Sequence, residues 1–322
     1  MKTIDIPNTD LTVSEFCFGT MQFGNKVTGL AIDELFNAYR DAGGNFLDTA
    51  HCYSVWIDGQ TDGVSERIIG DYLRRHNSRD QFIIATKGGH PPVANYRRND
   101  NGYLAPYRVM ADIDDSLSRL AIDEIDLYWL HRDDPRLPVG EILEMLETER
   151  KRGRIRYYGG SNWTSERLAE AKQYATANNM TGFVASQPRW NLAATTEFYK
   201  KEKRQNPGIL LTANNGDVAW HTETGLPMIP YTSTANGFFA RRGEAPKHWC
   251  TQEGVARYQR VEKLSQELNA SPNQIALAWL RHQAFPVIPI LGTSKVENLK
   301  DAVGAANVSL STAQVNWLRD GD

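Results

Sequence analysis

Eight times along this chain, a short apolar run gives way to a polar loop and then to a stretch with helical spacing. The runs fall at residues 15–19, 45–48, 82–86, 125–130, 155–159, 183–187, 226–231 and 286–291. Each is short, apolar and bounded by turn signals, which is the pattern of a buried strand. Strands that alternate with helices pair in parallel. Eight such units in 322 residues predict an α/β fold of the (β/α)8 TIM-barrel type over an open doubly wound sheet. No G-x-G-x-x-G follows the first run, which further weakens the open-sheet dinucleotide fold. Residues 1–16 read as a short N-terminal β-hairpin cap, with Asn8-Thr9-Asp10 as its turn. No linker divides the chain, so residues 1–322 are read as a single barrel domain.

The intervening segments carry helix signals. Residues 31–42 place Ala31, Ile32, Leu35, Phe36 and Tyr39 at helical spacing and stop at Gly43. Ser65 reads as the N-cap of a helix over 65–75, and Pro272 sits in the first turn of another, where a missing amide costs nothing. Three segments, 88–107, 191–206 with its continuation and 236–254, exceed the usual connection length. All follow strands, and long loops on that rim of a barrel wall a substrate pocket.

Composition excludes several classes. A net charge of -3 gives no electrostatic case for nucleic acid or an anionic membrane. No apolar run is long enough to span a bilayer, and the N-terminus carries no signal peptide, so a cytoplasmic protein is expected. Cys17, Cys52 and Cys250 are too few and too scattered for a disulfide framework or a zinc site. Seven histidines spread along the chain, with no H-x-H after the first run, speak against a metal-dependent barrel hydrolase, and no metal is expected.

Strand ends on the C-terminal rim carry the chemistry of a barrel. The second run ends in Asp48-Thr49-Ala50-His51-Cys52-Tyr53, the third carries Lys87 to its end, and the fourth ends in His131. Asp48, Tyr53, Lys87 and His131 therefore come from neighbouring strands. A lysine at the mouth of a barrel interior needs a counter-charge, and Asp48 can provide it. A tyrosine phenol, ordinarily near pKa about 10, is a weak acid, and an adjacent ammonium is expected to lower that value. Such a group gives a proton to a carbonyl oxygen while hydride arrives at carbon. No side chain supplies hydride, so a nicotinamide is implied.

The quartet, with Asp48-Thr49-Ala50-x-x-Tyr53 and Asp126-Leu127-Tyr128-Trp129-Leu130-His131, resembles that of the aldo-keto reductases, over nearly the whole chain. The resemblance implies an NAD(P)H-dependent carbonyl reductase, an oxidoreductase with Tyr53 as general acid. It also implies cofactor contacts: Gly19, Thr20 and Met21 flanking the nicotinamide together with Asp48, Ser161 and Asn162 holding its carboxamide with Gln187, and Tyr231 stacking on the ring. Thr232 and Ser233 follow on the same loop. Gly292, Thr293, Ser294 and Lys295 lead into a helix, where backbone amides and a lysine suit the adenosine phosphate. NADP-preferring members carry an arginine where Asn298 stands, and a neutral amide cannot reproduce its grip on phosphate. Lys295 and Lys300 are the candidates to compensate; NADPH is favoured, with NADH open.

Position just past the strand ends nominates Gln22, Phe23, Trp56, His90, Arg132, Asp133, Trp163, Arg189 and Trp190 as pocket residues, with Tyr53 and His131 touching the small-molecule carbonyl substrate. Aromatic faces among polar groups suit a sugar or sugar-derived carbonyl; rim packing and simple aldehydes or ketones are the competing readings. A second function class stays open, a nucleotide-binding regulatory protein similar to the potassium-channel β subunits, with little turnover.

Overall fold

The computed structural model describes residues 1–57, 59–92, 102–205 and 212–321. It opens with β1 (Thr3–Asp5) and β2 (Thr12–Ser14), an antiparallel hairpin in the register Thr3↔Ser14 and Asp5↔Thr12. The expected turn forms because Asn8 accepts a left-handed conformation (φ 62°) and the Thr9 hydroxyl donates to the Ile6 carbonyl at 2.7 Å.

The barrel strands are β3 (Cys17–Gly19), β4 (Phe46–Asp48), β5 (Ile83–Gly88), β6 (Ile125–Leu130), β7 (Ile155–Ser161), β8 (Phe183–Gln187) and β9 (Ile290–Leu291). They pair in parallel, in the order β8-β7-β6-β5-β4-β3-β9. The expected seventh strand, 226–231, forms only isolated parallel bridges, Met228 to Ser186 and Val287 and Tyr231 to Arg189, and the eighth is shortened to two residues. Prolines explain both: Pro227, Pro230, Pro286 and Pro289 lack the amide a continuous ladder needs. The remaining amides still close the (β/α)8 barrel. Ile229 N donates to Ser186 O at 2.8 Å, Ile288 N to Met228 O at 2.9 Å and Cys17 N to Pro289 O at 3.0 Å.

Helices α1 (Leu30–Asp41), α2 (Val64–His76), α3 (Pro106–Leu120), α4 (Val139–Lys151) and α5 (Ser165–Ala177) follow the first five strands. Next come α6 (Thr196–Gln205), α7 (Asn215–Thr224), α8 (Gln252–Glu267), α9 (Pro272–Arg281), α10 (Val296–Gly304) and α11 (Thr312–Asp320). Pro272 does sit in the first turn of α9, behind a Ser271–Gln274 capping box. Ser65, expected as an N-cap, lies instead inside α2, whose N-cap is Gly63. Its hydroxyl donates to Thr20 O at 3.0 Å and accepts from Thr49 Oγ1 at 2.9 Å, tying the ends of β3 and β4 together. Of the three long rim segments, 191–206 contains α6, with Asn206 outside the described residues, and 236–254 contains short 3-10 turns. The first, 88–107, includes residues 93–101, which lie outside the described residues.

Strand parity explains why the site forms where it does. Successive inward side chains alternate with outward ones, so residues two apart share the barrel interior. Cys17, Phe46, Ala85, Leu127, Ala185, Ile229 and Ile288 make an apolar lower layer, floored by Ile6, Leu11 and Val13 of the hairpin. Two residues further along five of these strands come Gly19, Asp48, Lys87, Gln187 and Tyr231, all facing one cavity. Trp129 fills the barrel centre beneath it, and only glycine fits at Gly159, where a Cβ would strike the Trp129 ring and the Ala185 carbonyl (2.7 Å).

Candidate active site

Lys87 is the hub. It is 2% exposed, and its ammonium donates to Asp48 Oδ2 at 2.5 Å, Thr49 O at 2.6 Å and the Tyr53 hydroxyl at 3.1 Å. Asp48, also 2% exposed, accepts at its other oxygen from Gln187 Nε2 at 2.9 Å. The β4–α2 loop that presents Tyr53 is held from both sides. Thr49 N and His51 N extend the ladder to Ala85 O (2.9 Å) and Lys87 O (2.8 Å). Behind it, His51 Nε2 meets Asp115 Oδ2 at 3.0 Å, and Arg119 bridges Asp62 (3.2 Å) and Glu66 (3.3 Å).

The electrostatics correct one expectation. Burial pushes the Tyr53 hydroxyl up to about 12, and the Lys87 ammonium offsets this only in part because Asp48 counters its charge. Burial also opposes the Lys87 charge, but Asp48 and then Tyr53 outweigh it, so the ammonium is held more firmly than usual. Burial, reinforced by His90 and Arg132, holds His131 well below the ordinary histidine value, so it is neutral near pH 7. Burial likewise lowers His90 to about 4. The site thus holds a protonated phenol, an ammonium and neutral imidazoles at neutral pH.

A second shelf faces this group. Ser161 Oγ donates to Gln187 O at 2.8 Å, Asn162 Nδ2 donates to His131 O at 3.0 Å, and the Tyr231 hydroxyl donates to Asn162 Oδ1 at 2.8 Å. The quartet and this shelf line one cavity of about 350 Å³, together with Gly19, Met21, Thr232, Ser233 and Gly292. Gln22, Thr234, Asn236 and Gly292 also border an adjoining cavity of about 460 Å³ that reaches Thr293, Ser294 and Asn298. Among the described residues, the outer cavity's lining has no carboxylate, two cations, Lys26 and Arg241, and a buried Asn273 Oδ1 with no hydrogen-bond partner. An elongated ligand with anionic groups and an amine donor at its outer end fits that lining.

Several expected positions are not where the spacing put them. Thr20 does not line the cavity; its hydroxyl is buried against Asp48 O at 3.0 Å and Ser65. Lys295 and Lys300 line neither cavity. Phe23 is 1% exposed and packs edge-on to Phe36 at 5.4 Å, because the turn closed by Phe23 N and Thr20 O folds its ring back onto α1. Trp163, 1% exposed, lies past the left-handed Asn162 (φ 63°) and packs on Phe183 and under Arg167 instead of facing the cavity. Trp190 packs between Trp279 and Phe285, and Asp133 is taken up by Arg167 at 2.9 Å. Gln22, Trp56, His90, Arg132 and Arg189 do line the cavity. Cys52, Lys26, Arg241 and Asn273 were missed: each lies off the strand ends, Asn273 in the first turn of α9 and the others on the segments between strand and helix.

The family model described as the aldo/keto reductase family matches residues 15–320. Among curated proteins the chain is 28% identical to the oxidoreductase YrpG of Bacillus subtilis, over 99% of this chain and 95% of that protein. It is 26% identical to a norsolorinic acid reductase of Aspergillus flavus, over 96% of this chain and 78% of that protein. It is 24% identical to an aryl-alcohol dehydrogenase of Pestalotiopsis microspora, over 98% of this chain and 80% of that protein. With a family match that spans all eight strand positions and the whole of the cavity described above, the chain belongs to the aldo/keto reductase family.

Proposed function

We propose that the protein is a carbonyl reductase, an oxidoreductase acting on the CH–OH/carbonyl couple, in which Tyr53 gives its proton to the substrate oxygen. The observation that carries this reading is the buried Lys87 ammonium, 2.5 Å from Asp48 and 3.1 Å from the Tyr53 hydroxyl. A nicotinamide dinucleotide, when bound, supplies the hydride. Ser161, Asn162, Gln187 and Tyr231 hold its nicotinamide end, and Gly292, Thr293, Ser294 and Asn298 its outer end. Tyr53 stays protonated at neutral pH, and an alkoxide developing on substrate is a stronger base than the phenolate left behind, so the transfer is downhill. Lys87 donates to the phenol oxygen and stabilises the negative charge it acquires. Asp48 keeps Lys87 in place, and neutral His131, whose ring stands edge-on to that of Tyr53 with centroids 6.2 Å apart, orients the carbonyl. NADPH is the favoured dinucleotide. Lys26 and Arg241 are the cations available to its extra phosphate, in place of the arginine missing at 298.

Met21 and Trp56, each 45% exposed, form an apolar lip on the cavity. That lip, with relatives named for an aryl alcohol and for norsolorinic acid, favours a flat apolar carbonyl compound. A sugar-derived carbonyl is the second reading, supported by Arg132 and Arg189 on the cavity wall. The free cysteines suit a reducing cytoplasm, and the described residues include no helix long and apolar enough to cross a membrane. The test is a fluorescence titration with NADPH and NADH, followed by oxidation of the bound dinucleotide on a matched panel of aryl aldehydes, ketones and aldoses. Tyr53→Phe should bind dinucleotide normally and lose turnover; a variant with normal turnover removes Tyr53 as the acid. Binding without turnover on every carbonyl favours the regulatory alternative.

A further inference from the structure

Arg132 lines the cavity beside His131 with its charge unmatched. Its guanidinium is half-buried and, among the described residues, makes one hydrogen bond, from Nη1 to the His131 carbonyl at 3.2 Å, and no ion pair. The acids next to it in the chain are turned away from it. Asp133 accepts at both oxygens from Arg167, at 2.9 and 3.2 Å, and Asp134 accepts at both from Arg136, at 2.8 and 2.6 Å. We propose that Arg132 binds a carboxylate on the substrate, so that the compound reduced here is an aryl aldehyde or ketone bearing an acid group.

The charge balance of the cavity points the same way. Among the described residues its lining holds three cations, Lys87, Arg132 and Arg189, against one carboxylate, Asp48, which is already paired with Lys87. Arg189 is engaged with the Tyr231 and Phe198 rings, its guanidinium carbon 5.8 and 5.9 Å from their centroids. The other side chains near Arg132 do not offset its charge: burial, and then that charge, lower His90 to about 4. A cation in a partly desolvated wall of neutral imidazoles gains most from an anion.

Geometry sets which anion. The His131 carbonyl that holds Arg132 also accepts from Asn162 Nδ2 at 3.0 Å, so the guanidinium is fixed where the nicotinamide shelf meets the substrate end. With one donor so used, the rest of the planar fork can take a carboxylate edge-on through paired hydrogen bonds. A sugar hydroxyl could accept from the same donors but would leave the charge unmatched. The dinucleotide's own anionic groups belong, in the proposed placement, at the outer end past Gly292. The substrate class rests on carbonyl reduction at Tyr53, which sets one end of the molecule; Arg132 sets the other, and Met21 and Trp56 at the lip cover the ring between them.

The test compares the meta and para formylbenzoates with the matching formylbenzamides, which are close in shape and differ in charge. In the parent, kcat/KM should favour the acid of at least one pair by about tenfold or more, through KM, and the preference should shrink with added salt. Arg132→Gln should bring the acid-to-amide ratio near one, and Arg132→Lys, which keeps the charge without the fork, should fall between. A merely structural role for Arg132 would slow both substrates and leave the ratio where it was. A parent ratio near one, or a ratio that survives Arg132→Gln, overturns the assignment; if Arg132→Gln does not fold, the parent ratio and its salt dependence decide. Calorimetric binding of the same acids and amides in the presence of oxidised dinucleotide needs no turnover and separates the two readings. Tighter binding of the acid with reduction of neither compound keeps the carboxylate site and removes the reductase reading. Equal binding and equal reduction of acid and amide keep the reductase and remove the carboxylate site.

Discussion

Replacing Lys87 by Met separates the stability of the site from its chemistry. Both Lys87 and Asp48 are 2% exposed, so solvent screens their attraction little, and the 2.5 Å contact leaves no room for water between them. Met fills the volume of the lysine stem but leaves the Asp48 carboxylate with Gln187 as its remaining side-chain donor. Breaking a buried pair from one side typically costs about 3–5 kcal/mol, because one charge is left unpaired in a poorly solvating interior. Turnover should fall by about 10²–10³-fold, since the donor to the phenol oxygen goes with the ammonium. Lys87→Met/Asp48→Asn removes both charges and should recover most of the stability, to within about 1–2 kcal/mol of the parent. It should recover none of the turnover. The assay is urea unfolding of the parent, both single variants and the double variant, with turnover measured on each. A single variant within about 1 kcal/mol of the parent would mean that the pair is solvated and that the double-mutant logic fails. Recovered turnover in the double variant would mean that the ammonium is not needed for proton transfer.

The raised Tyr53 value predicts a reduction rate that stays level through about pH 10, the ordinary tyrosine range, because the acid form persists toward about 12; a pH–rate profile with an alkaline limb near 10 refutes this. Asn298→Arg places a guanidinium in the outer cavity and should tighten NADPH relative to NADH, read as the ratio of dissociation constants by fluorescence titration. An unchanged ratio means that the phosphate is held elsewhere, with Arg241→Ala the next variant. His221, 2% exposed, gives its Nδ1–H to Leu226 O at 2.7 Å and faces Ser186 Oγ at 3.0 Å, and burial lowers its value to about 4. Its folded value lies below the unfolded one of about 6.5, so the unfolded chain takes the proton first and stability falls from about pH 6.5 down to about 4, by up to about 1.4 kcal/mol per pH unit. Urea midpoints across that range should fall less steeply in His221→Asn than in the parent; parallel curves remove His221 from the balance.

How much of this was legible in the chain follows from what fixes each feature. Strand parity is a property of the backbone, so Asp48, Lys87 and Gln187 at the ends of apolar runs were bound to face the same interior as Phe46, Ala85 and Ala185. Past the last strand residue that periodicity stops, and side-chain direction depends on single turns. Phe23 and Trp163 were misplaced for that reason: a β-turn at Thr20 and a left-handed Asn162 send each ring into packing. The prolines at 227, 230, 286 and 289 were visible signals that two strands would be fragmentary, and strand counting passed over them. The Tyr53 value could not be read from residue types, because it depends on how far burial outweighs a partly cancelled ammonium.

The cancellation has a structural logic of its own. Asp48 divides its carboxylate, one oxygen to Lys87 and the other to Gln187, and Gln187 in turn accepts from Ser161 through its backbone carbonyl. Asn162 donates to the Ser161 hydroxyl at 2.9 Å and accepts from Tyr231 at 2.8 Å. One hydrogen-bonded chain therefore runs from the Tyr53 phenol to the Tyr231 phenol across the mouth of the barrel. A lysine paired only for local neutrality could have used any nearby acid. Pairing it with the acid that also anchors Gln187 fixes the distance between the Tyr53 hydroxyl and the shelf opposite. Breaking an inner link of such a chain should disturb Lys87 and the shelf at Asn162 and Tyr231 together, because each group's position is set by the next. The partial loss of the ammonium's effect on Tyr53 is the electrostatic cost of that rigidity.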